Sequence, residues 1–391
     1  MILYKPNQHI ALLILITLGA CSQTRLPSID IEPLRPRVGE VQLNHTSQPP
    51  HPSLQIDVAI NVFDVRLDES EALEFGEWIF TEIRNNESYY LPYVLRNTLL
   101  ESNQWGAVRV LPSNDPSVDL QIKGSVLASD GKQIVLHIKA TDSAGRVWLD
   151  QEYADIAIAA DFPAETRYSQ GSPFDNTTFI EPFQDIYNQI SNSLVELREG
   201  LTEQQIINLK RISQMVYASD LAPESFQRNL IKKGESELLS LVSLPAEEDP
   251  MIERVNDMRV RHHLFIDTVD EYYASLFEKM QPAYVLWRKY SFERINEEIE
   301  AGLTPYDYQD YGRSGRYLTL TQRYDRYRWS KIFEMEYQEI SAGFNNEVAP
   351  AILTLNEKVH GLSGTMEEQY IQWRRILRQL FELEVKTLEQ I

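Results

Sequence analysis

From Leu54 to Val62 large apolar residues occupy every second position: Leu54, Ile56, Val58, Ile60 and Val62 are separated by Gln55, Asp57, Ala59 and Asn61. A period of two predicts a half-buried strand. Asp68 or Ser70 can cap a following helix that carries Leu73, Trp78, Ile79 and Ile83. A second helix is expected over Leu91–Ser102, with Val94, Leu95, Thr98 and Leu99 on one side. Trp105-Gly106 ends it and opens a short strand from Val108 to Leu111. Alternation returns at Val118, Leu120 and Ile122, then Val126, and again at Ile134, Leu136 and Ile138. Asp130-Gly131 is a tight-turn signal between those strands, and Ala144-Gly145 turns the chain into Val147 and Leu149. The pattern predicts an α+β domain over residues 54–160, with an antiparallel meander and helices on one sheet face.

Beyond Gly171 the strand signals stop and helical periodicity takes over. Phe183, Ile186, Tyr187, Ile190, Leu194 and Leu197 trace one face, and Thr202 with Gln205 forms a capping box ahead of Ile206, Leu209 and Ile212. Pro223, Pro245 and Pro250 divide the next stretch into short helices. Met251, Val255, Met258, His262, Phe265, Val269, Tyr272 and Leu276 then follow a coiled-coil-like spacing of alternating fours and threes. Pro282 is expected to kink or end that helix. Helical character resumes through Trp287, Tyr290, Ile295 and Ile299 to Gly302. Another helix is expected through Ile332, Tyr337, Ile340 and Phe344, stopping before Pro350. A second capping box, Thr365 with Glu368, starts a last helix striped by Tyr370, Trp373, Leu377, Leu380 and Glu384. Residues 175–391 therefore read as an all-α antiparallel bundle.

The first residues tell a different story. Lys5 precedes an apolar stretch, Ile10 to Leu18, and then the small residues Gly19 and Ala20. That order is a signal peptide of residues 1–20, and the apolar part is about half the roughly 20 residues a spanning helix needs. Cys21 is the chain's sole cysteine, so a disulfide framework, a cysteine metal site and a thiol nucleophile in the body are all ruled out. Residues 21–53, with Pro27, Pro33, Pro36, Pro49, Pro50 and Pro52, read as a Pro-rich tether. The formal net charge of −21 argues against nucleic-acid binding.

Two resemblances sharpen this. Leu18-Gly19-Ala20-Cys21 resembles the bacterial lipobox. The resemblance implies cleavage before Cys21, attachment of a diacylglycerol to its thiol and, with Ser22 next, sorting to the outer membrane. Acyl chains at about 0.8 kcal/mol per buried CH₂ would anchor the protein there, with its body in the periplasm. Trp105–Val110, Asp119–Gly124 and Asp142–Trp148 resemble the helix-to-strand step, the "D-l-x-l-x-G" strand and the "D-x-x-G-x-x-w" hairpin of small periplasmic domains. Those domains belong to the curli-secretion-like, TolB-N-terminal-like and ABC-transport-auxiliary lipoproteins, and the likeness covers about a quarter of the chain. "PFQDIYNQI" and "GTMEEQYIQWRRILR" are similar to stretches of a set of proteobacterial outer-membrane lipoproteins, a likeness that brings no activity with it.

Candidate chemistry is sparse. His262 and His263 are adjacent on a helix and point about 100° apart, so they cannot share a metal as an i, i+4 pair can; His262, on the apolar seam, is expected to be a hydrogen-bonded interface histidine. Ser129-Asp130-Gly131-Lys132 has Ser-x-x-Lys spacing but straddles a hairpin turn, where that chemistry needs a helix start. Gly361-Leu362-Ser363-Gly364-Thr365 approaches a nucleophile elbow but reads as a helix N-terminus. No carboxylate pair stands out, and neither a cofactor nor a metal site is expected. One candidate interaction patch does stand out: Tyr311, Arg313, Arg316, Tyr317, Arg323, Tyr324, Arg326, Tyr327, Arg328 and Trp329 interleave within an acidic chain. Arginine and aromatic side chains favour interface hot spots, although pairing with neighbouring glutamates is the simpler reading of those arginines.

The expected function is a non-catalytic, lipid-anchored periplasmic accessory or scaffold component. It would touch the membrane through the lipid on Cys21 and meet an envelope protein partner or copies of itself. An envelope hydrolase acting on peptidoglycan or glycan through carboxylates is the alternative, together with a lipid- or glycan-binding carrier that uses a groove between helices.

Overall fold

A computed structural model describes residues 37–65, 81–129, 131–162, 181–233, 238–246, 249–300, 335, 352–355 and 358–388. The alternating segment after Leu54 becomes β1 (Val58–Asn61), followed by β2 (Asp64–Val65). Helix α1 (Thr81–Glu101) leads to β3 (Val108–Leu111), and then come β4 (Leu120–Ser129), β5 (Gln133–Asp142) and β6 (Val147–Ile156). Helices α2 (Gln184–Glu199), α3 (Glu203–Leu221) and the short α4 (Pro223–Phe226) precede a hairpin of β7 (Leu230–Lys233) and β8 (Leu238–Leu241). The long helix α5 (Pro250–Glu300), a second hairpin of β9 (Ile352–Leu355) and β10 (Lys358–Gly361), and α6 (Met366–Leu388) complete the described elements. The fold is mixed α and β.

The main sheet has the order β3-β1-β4-β5-β6, with β2 also pairing β4. β1 runs parallel to both β3 and β4, whereas β4/β5 and β5/β6 are antiparallel. Burial follows from this arrangement. Val58, Ala59 and Ile60 are buried in succession, as are all four residues of β3, which marks strands covered on both faces. β5 instead alternates, burying Ile134, Leu136, Ile138 and Ala140 and leaving Val135, His137, Lys139 and Thr141 partly exposed. One side of β5 is thus a core wall and the other a polar surface.

Both outer strands are shielded. At β3, the Val110 N–H donates to Asp270 Oδ1 of α5 at 2.8 Å, and Arg109 pairs with Asp267 at 2.5 Å. At β6, Val38 donates its N–H to the Ala154 carbonyl at 3.0 Å. At these positions the edge is occupied and closed to further strand pairing. The segment from Arg37 to Ser53, part of the stretch read as a tether, continues along the body. Val41 N–H donates to Asp185 Oδ1 and Asn188 Nδ2 donates to the Val41 carbonyl, while Thr46 N–H reaches the Ser102 carbonyl. Side-chain amides of Asn188 and Asn192 on α2 satisfy backbone groups of this irregular segment at Val41, Gln42 and Asn44.

Several sequence expectations need correcting. The helix boundary expected before Leu91 does not exist: α1 runs unbroken from Thr81 through Pro92. Likewise α5 continues through Pro282 for 51 residues, about 75 Å at 1.5 Å per residue, because packing along its length outweighs one lost hydrogen bond. Its seam buries Val255, Met258, His262, Phe265, Val269 and Leu276. That seam faces α1, α3, α6 and β3 rather than a single coiled-coil partner. The two hairpins β7/β8 and β9/β10 lie where only helices were expected. Residues Asp68, Ser70, Leu73, Trp78 and Ile79 fall outside the described residues, as do Ile332, Tyr337, Ile340 and Phe344. One hydrophobic core takes side chains from before residue 160 and from beyond residue 181 alike, Leu136 and Trp148 with Ile190, Met258 and Trp373 among them.

Two glycines of the periplasmic-domain motifs have a physical reason. Gly145 holds φ at +88°, closing the turn whose backbone Asp142 caps: Asp142 Oδ1 accepts from Ala144 and Arg146 N–H, and Oδ2 accepts from the Trp148 indole. Gly124 lies against the Phe63 ring, where a Cβ would overlap the ring atoms. Gly124→Ala is therefore expected to lower the unfolding free energy by about 1–3 kcal/mol, seen as a lower urea midpoint at unchanged m. An unchanged midpoint would mean that Phe63 moves aside freely.

Candidate functional site

Two networks of buried polar and charged side chains tie the helices to the sheet. The first grows from the turn between β3 and β4. Asp115 is followed by Pro116, and its Oδ1 accepts the Ser117 N–H at 2.7 Å, a local closure typical of aspartate in turns. Its Oδ2 is reached from two helices: His262 Nε2 on α5 and Tyr370 OH on α6, each at 2.6 Å. The Trp373 indole donates to His262 Nδ1 at 3.1 Å, and an indole N–H can only donate, so the ring hydrogen sits on Nε2 and points at Asp115. The Tyr217 ring of α3 stacks on the imidazole, with centroids 5.8 Å apart. Burial opposes charge on Asp115, but the hydrogen bonds from His262, Ser117 and Tyr370 outweigh it and hold the carboxyl well below its usual range. Burial first, and the Asp115 charge second, push the phenols of Tyr217 and Tyr370 far up.

His263 sits next to this network, its Nε2 3.2 Å from Ser117 Oγ. Burial, with Arg259 and Arg109 nearby, pushes its imidazole down to about 4. A serine, a histidine and an aspartate are close here, yet they form no nucleophile relay. Asp115 pairs with His262 rather than His263, and Ser117 is fully buried.

The second network is built on Arg288 of α5, which is 0 % exposed. Its Nη2 donates to Glu87 Oε1 of α1 at 2.7 Å and to Ser129 Oγ at the end of β4 at 2.6 Å. Ser129 donates in turn to Glu87 Oε1 at 2.6 Å, and Arg288 Nε donates to Tyr284 OH at 2.9 Å. The guanidinium also lies over the rings of Phe183 and Trp287, 4.8 Å from each centroid. Glu181, just before α2, accepts from Tyr90 OH at 2.9 Å. Burial pushes the Glu181 carboxyl up to about 7 against the lowering effect of Tyr90 and Arg288.

Each sequence-derived candidate can now be placed. His262 is a hydrogen-bonded interface histidine. Ser129 belongs to the arginine network and Lys132 Nζ donates to Asn296 Oδ1 at 2.9 Å, so the two do not work as a nucleophile and its base. Gly361–Thr365 leads into α6, where Thr365 N–H donates to Glu368 Oε2 and Glu368 N–H to Thr365 Oγ1. The Thr202/Gln205 capping box forms in the same reciprocal way at α3. Cys21 and the patch of Tyr311, Arg313, Arg316, Tyr317, Arg323, Tyr324, Arg326, Tyr327, Arg328 and Trp329 lie outside the described residues. Among the described residues no cluster of His, Cys, Asp and Glu has metal-binding geometry.

Sequence reading passed over Glu87, Asp115, Glu181 and Arg288, whose roles depend on partners 42 to 255 positions away along the chain. Asp115-Pro116 was a readable turn signal; the others had none. Two clefts adjoin the networks. One, of about 450 Å³, opens beside Asp115 and is lined by Asp119, Lys123, Lys139, Thr141 and Arg374 among others. The other, of about 410 Å³, lies between α1, α2 and α5 and includes Glu181. No protein-family model matches the chain, and no curated protein matches it.

Proposed function

We propose that this protein is a non-catalytic, lipid-anchored accessory or scaffold component of a bacterial envelope assembly. The observation that carries the reading is Leu18-Gly19-Ala20-Cys21 behind a short apolar stretch, with no second cysteine in the chain. In this reading the lipid on Cys21 holds the protein at the outer membrane and the body works in the periplasm. Among the described residues no helix is long and apolar enough to cross a membrane, and this attachment needs none.

An α+β module with an antiparallel meander and a helical bundle, fused through their shared core, then present surfaces to envelope partners or to further copies. The likeness of residues 105–148 to periplasmic lipoprotein domains supports the same placement. The non-catalytic part rests on where the charged groups are spent. Asp115, His262, Glu87, Arg288 and Ser129 tie α1, α5, α6 and the sheet together, and all five side chains are buried. Replacing Cys21 by Ala is expected to abolish labelling by an alkyne fatty acid and to move the protein from the membrane to the soluble fraction. Persistent labelling of Cys21→Ala would refute the anchor.

A further inference from the structure

Lys123 of β4 and Lys139 of β5 stand directly opposite each other in the antiparallel register, and both line the cleft of about 450 Å³ beside Asp115. Like charges facing each other across two strands destabilise the pair. Lys139 is only partly neutralised. Its ammonium meets Asp150 Oδ2 at 2.7 Å, and His137 Nε2 already lies 2.9 Å from the other oxygen of that carboxylate. Lys123 is exposed, and among the described residues it has neither a hydrogen bond nor an ion pair.

The carboxylates of the same cleft are turned inward. The side chains of Asp115, Asp119 and Asp142 are at most 1 % exposed. Asp115 is held by His262, Ser117 and Tyr370, and Asp142 by two backbone N–H groups and the Trp148 indole. Asp119 Oδ2 accepts the Asp57 N–H at 3.0 Å with Lys210 Nζ at 3.5 Å, and Arg259 Nη2 is 3.9 Å from Oδ1. The charge that this cleft presents to solvent is therefore positive, in a chain of formal net charge −21. Thr141, two residues from Lys139 on the same face of β5, adds a hydroxyl. Arg374 of α6 adds a third cation at the rim, although its Nη2 already meets Asp220 at 3.0 Å.

We infer that this cleft binds a phosphate monoester, its phosphate shared by the Lys123 and Lys139 ammonium groups and its carbon skeleton against Pro116 and Val216. A phosphate monoester is largely dianionic at neutral pH, so it balances both lysines and relieves their repulsion, which a single carboxylate does only by half. A volume of about 450 Å³ suits a ligand the size of a headgroup. The headgroup of a phosphomonoester lipid and a soluble sugar or glycerol phosphate offer the same chemistry. The inference concerns this cleft alone and stands whether or not Cys21 is acylated.

The test is calorimetric titration of the full-length protein in neutral detergent at constant ionic strength. The probes are glycerol phosphate, dihexanoyl phosphatidic acid below its micellar concentration, glycerol and acetate. Saturable binding of one phosphate monoester per chain is expected, with no binding of glycerol and weaker binding of acetate. Tighter binding of the phosphatidic acid than of glycerol phosphate assigns the site to a lipid headgroup, and the reverse assigns it to a soluble ester. Lys123→Gln is expected to weaken phosphate binding about fivefold, and Lys139→Gln to do the same. Because Lys123 has no described partner to lose, Lys123→Gln should leave the urea midpoint of the ligand-free protein unchanged or slightly higher. Glycerol phosphate should raise the melting temperature of wild type and have less effect on Lys123→Gln. Absence of saturable binding of both phosphate monoesters, equal binding of acetate, or unchanged phosphate affinity in Lys123→Gln would each overturn the inference.

Discussion

Replacing Arg288 by methionine is expected to lower the unfolding free energy by about 3–5 kcal/mol, the usual cost of breaking a fully buried ion pair from one side. Methionine keeps an unbranched stem, so the loss reports the guanidinium, both its ion pair and its contacts with the Phe183 and Trp287 rings. Without it Glu87 Oε1 keeps hydrogen bonds from Ser129 and Tyr284 but has lost its countercharge. The double variant Arg288→Met/Glu87→Gln should recover a substantial part of the stability, because position 87 then carries no buried charge. Urea unfolding of wild type, both single variants and the double variant measures the coupling directly. A single-variant loss below about 1 kcal/mol would mean that the guanidinium is not the centre of this network.

Glu181 should leave a signature in the pH dependence of stability. Its folded pKa of about 7 lies above the ordinary 4.5, so the folded state holds this proton more tightly than the unfolded chain. The contribution is therefore complete below about pH 4.5 and is lost as pH rises through 7. The shift amounts to about 3 kcal/mol. His263 works the other way: depressed to about 4, it contributes above its ordinary 6.5 and is lost as pH falls through 4. Comparing wild type with Glu181→Gln at each pH cancels His263 and every other group that the two share. The stability advantage of wild type should shrink by about 3 kcal/mol between pH 5 and pH 8. A difference that stays flat across that window would contradict the raised carboxyl.

Period-two patterning located β1, β4 and β5, and the Asp142 turn was readable because aspartate and glycine each have a local reason to be there. Ala59 shows where the pattern stops informing. It occupies a register position that alternation assigns to the less apolar face, yet it is fully buried, since parallel neighbours and covering helices leave β1 no solvent side. The β7/β8 hairpin went unread because four-residue strands such as Leu230–Lys233 are too short to alternate convincingly and are largely exposed. Pro282 was expected to kink or end its helix, and tertiary packing carries α5 through it, as it carries α1 through Pro92.

The two networks were the least legible part. His262 could be recognised as an interface histidine from its seam position. Its partner Asp115 precedes it by 147 residues, and Tyr370 lies 255 residues beyond Asp115. Single-residue chemistry cannot announce such pairings, because any one of these side chains is ordinary until the fold assembles the rest. Glu181 is the clearest example: its significance lies in one oxygen left without a donor.

Photo-crosslinking in intact cells tests the proposed accessory role at the envelope. A photoreactive residue at Tyr317, inside the Tyr/Arg patch, should give discrete covalent adducts with an envelope protein or with a second copy. Those adducts should disappear when Arg313, Arg316, Arg323, Arg326 and Arg328 are replaced by Glu, and should weaken when Cys21 is replaced by Ala. Only monomer, at native expression and with Cys21 intact, would contradict the claim.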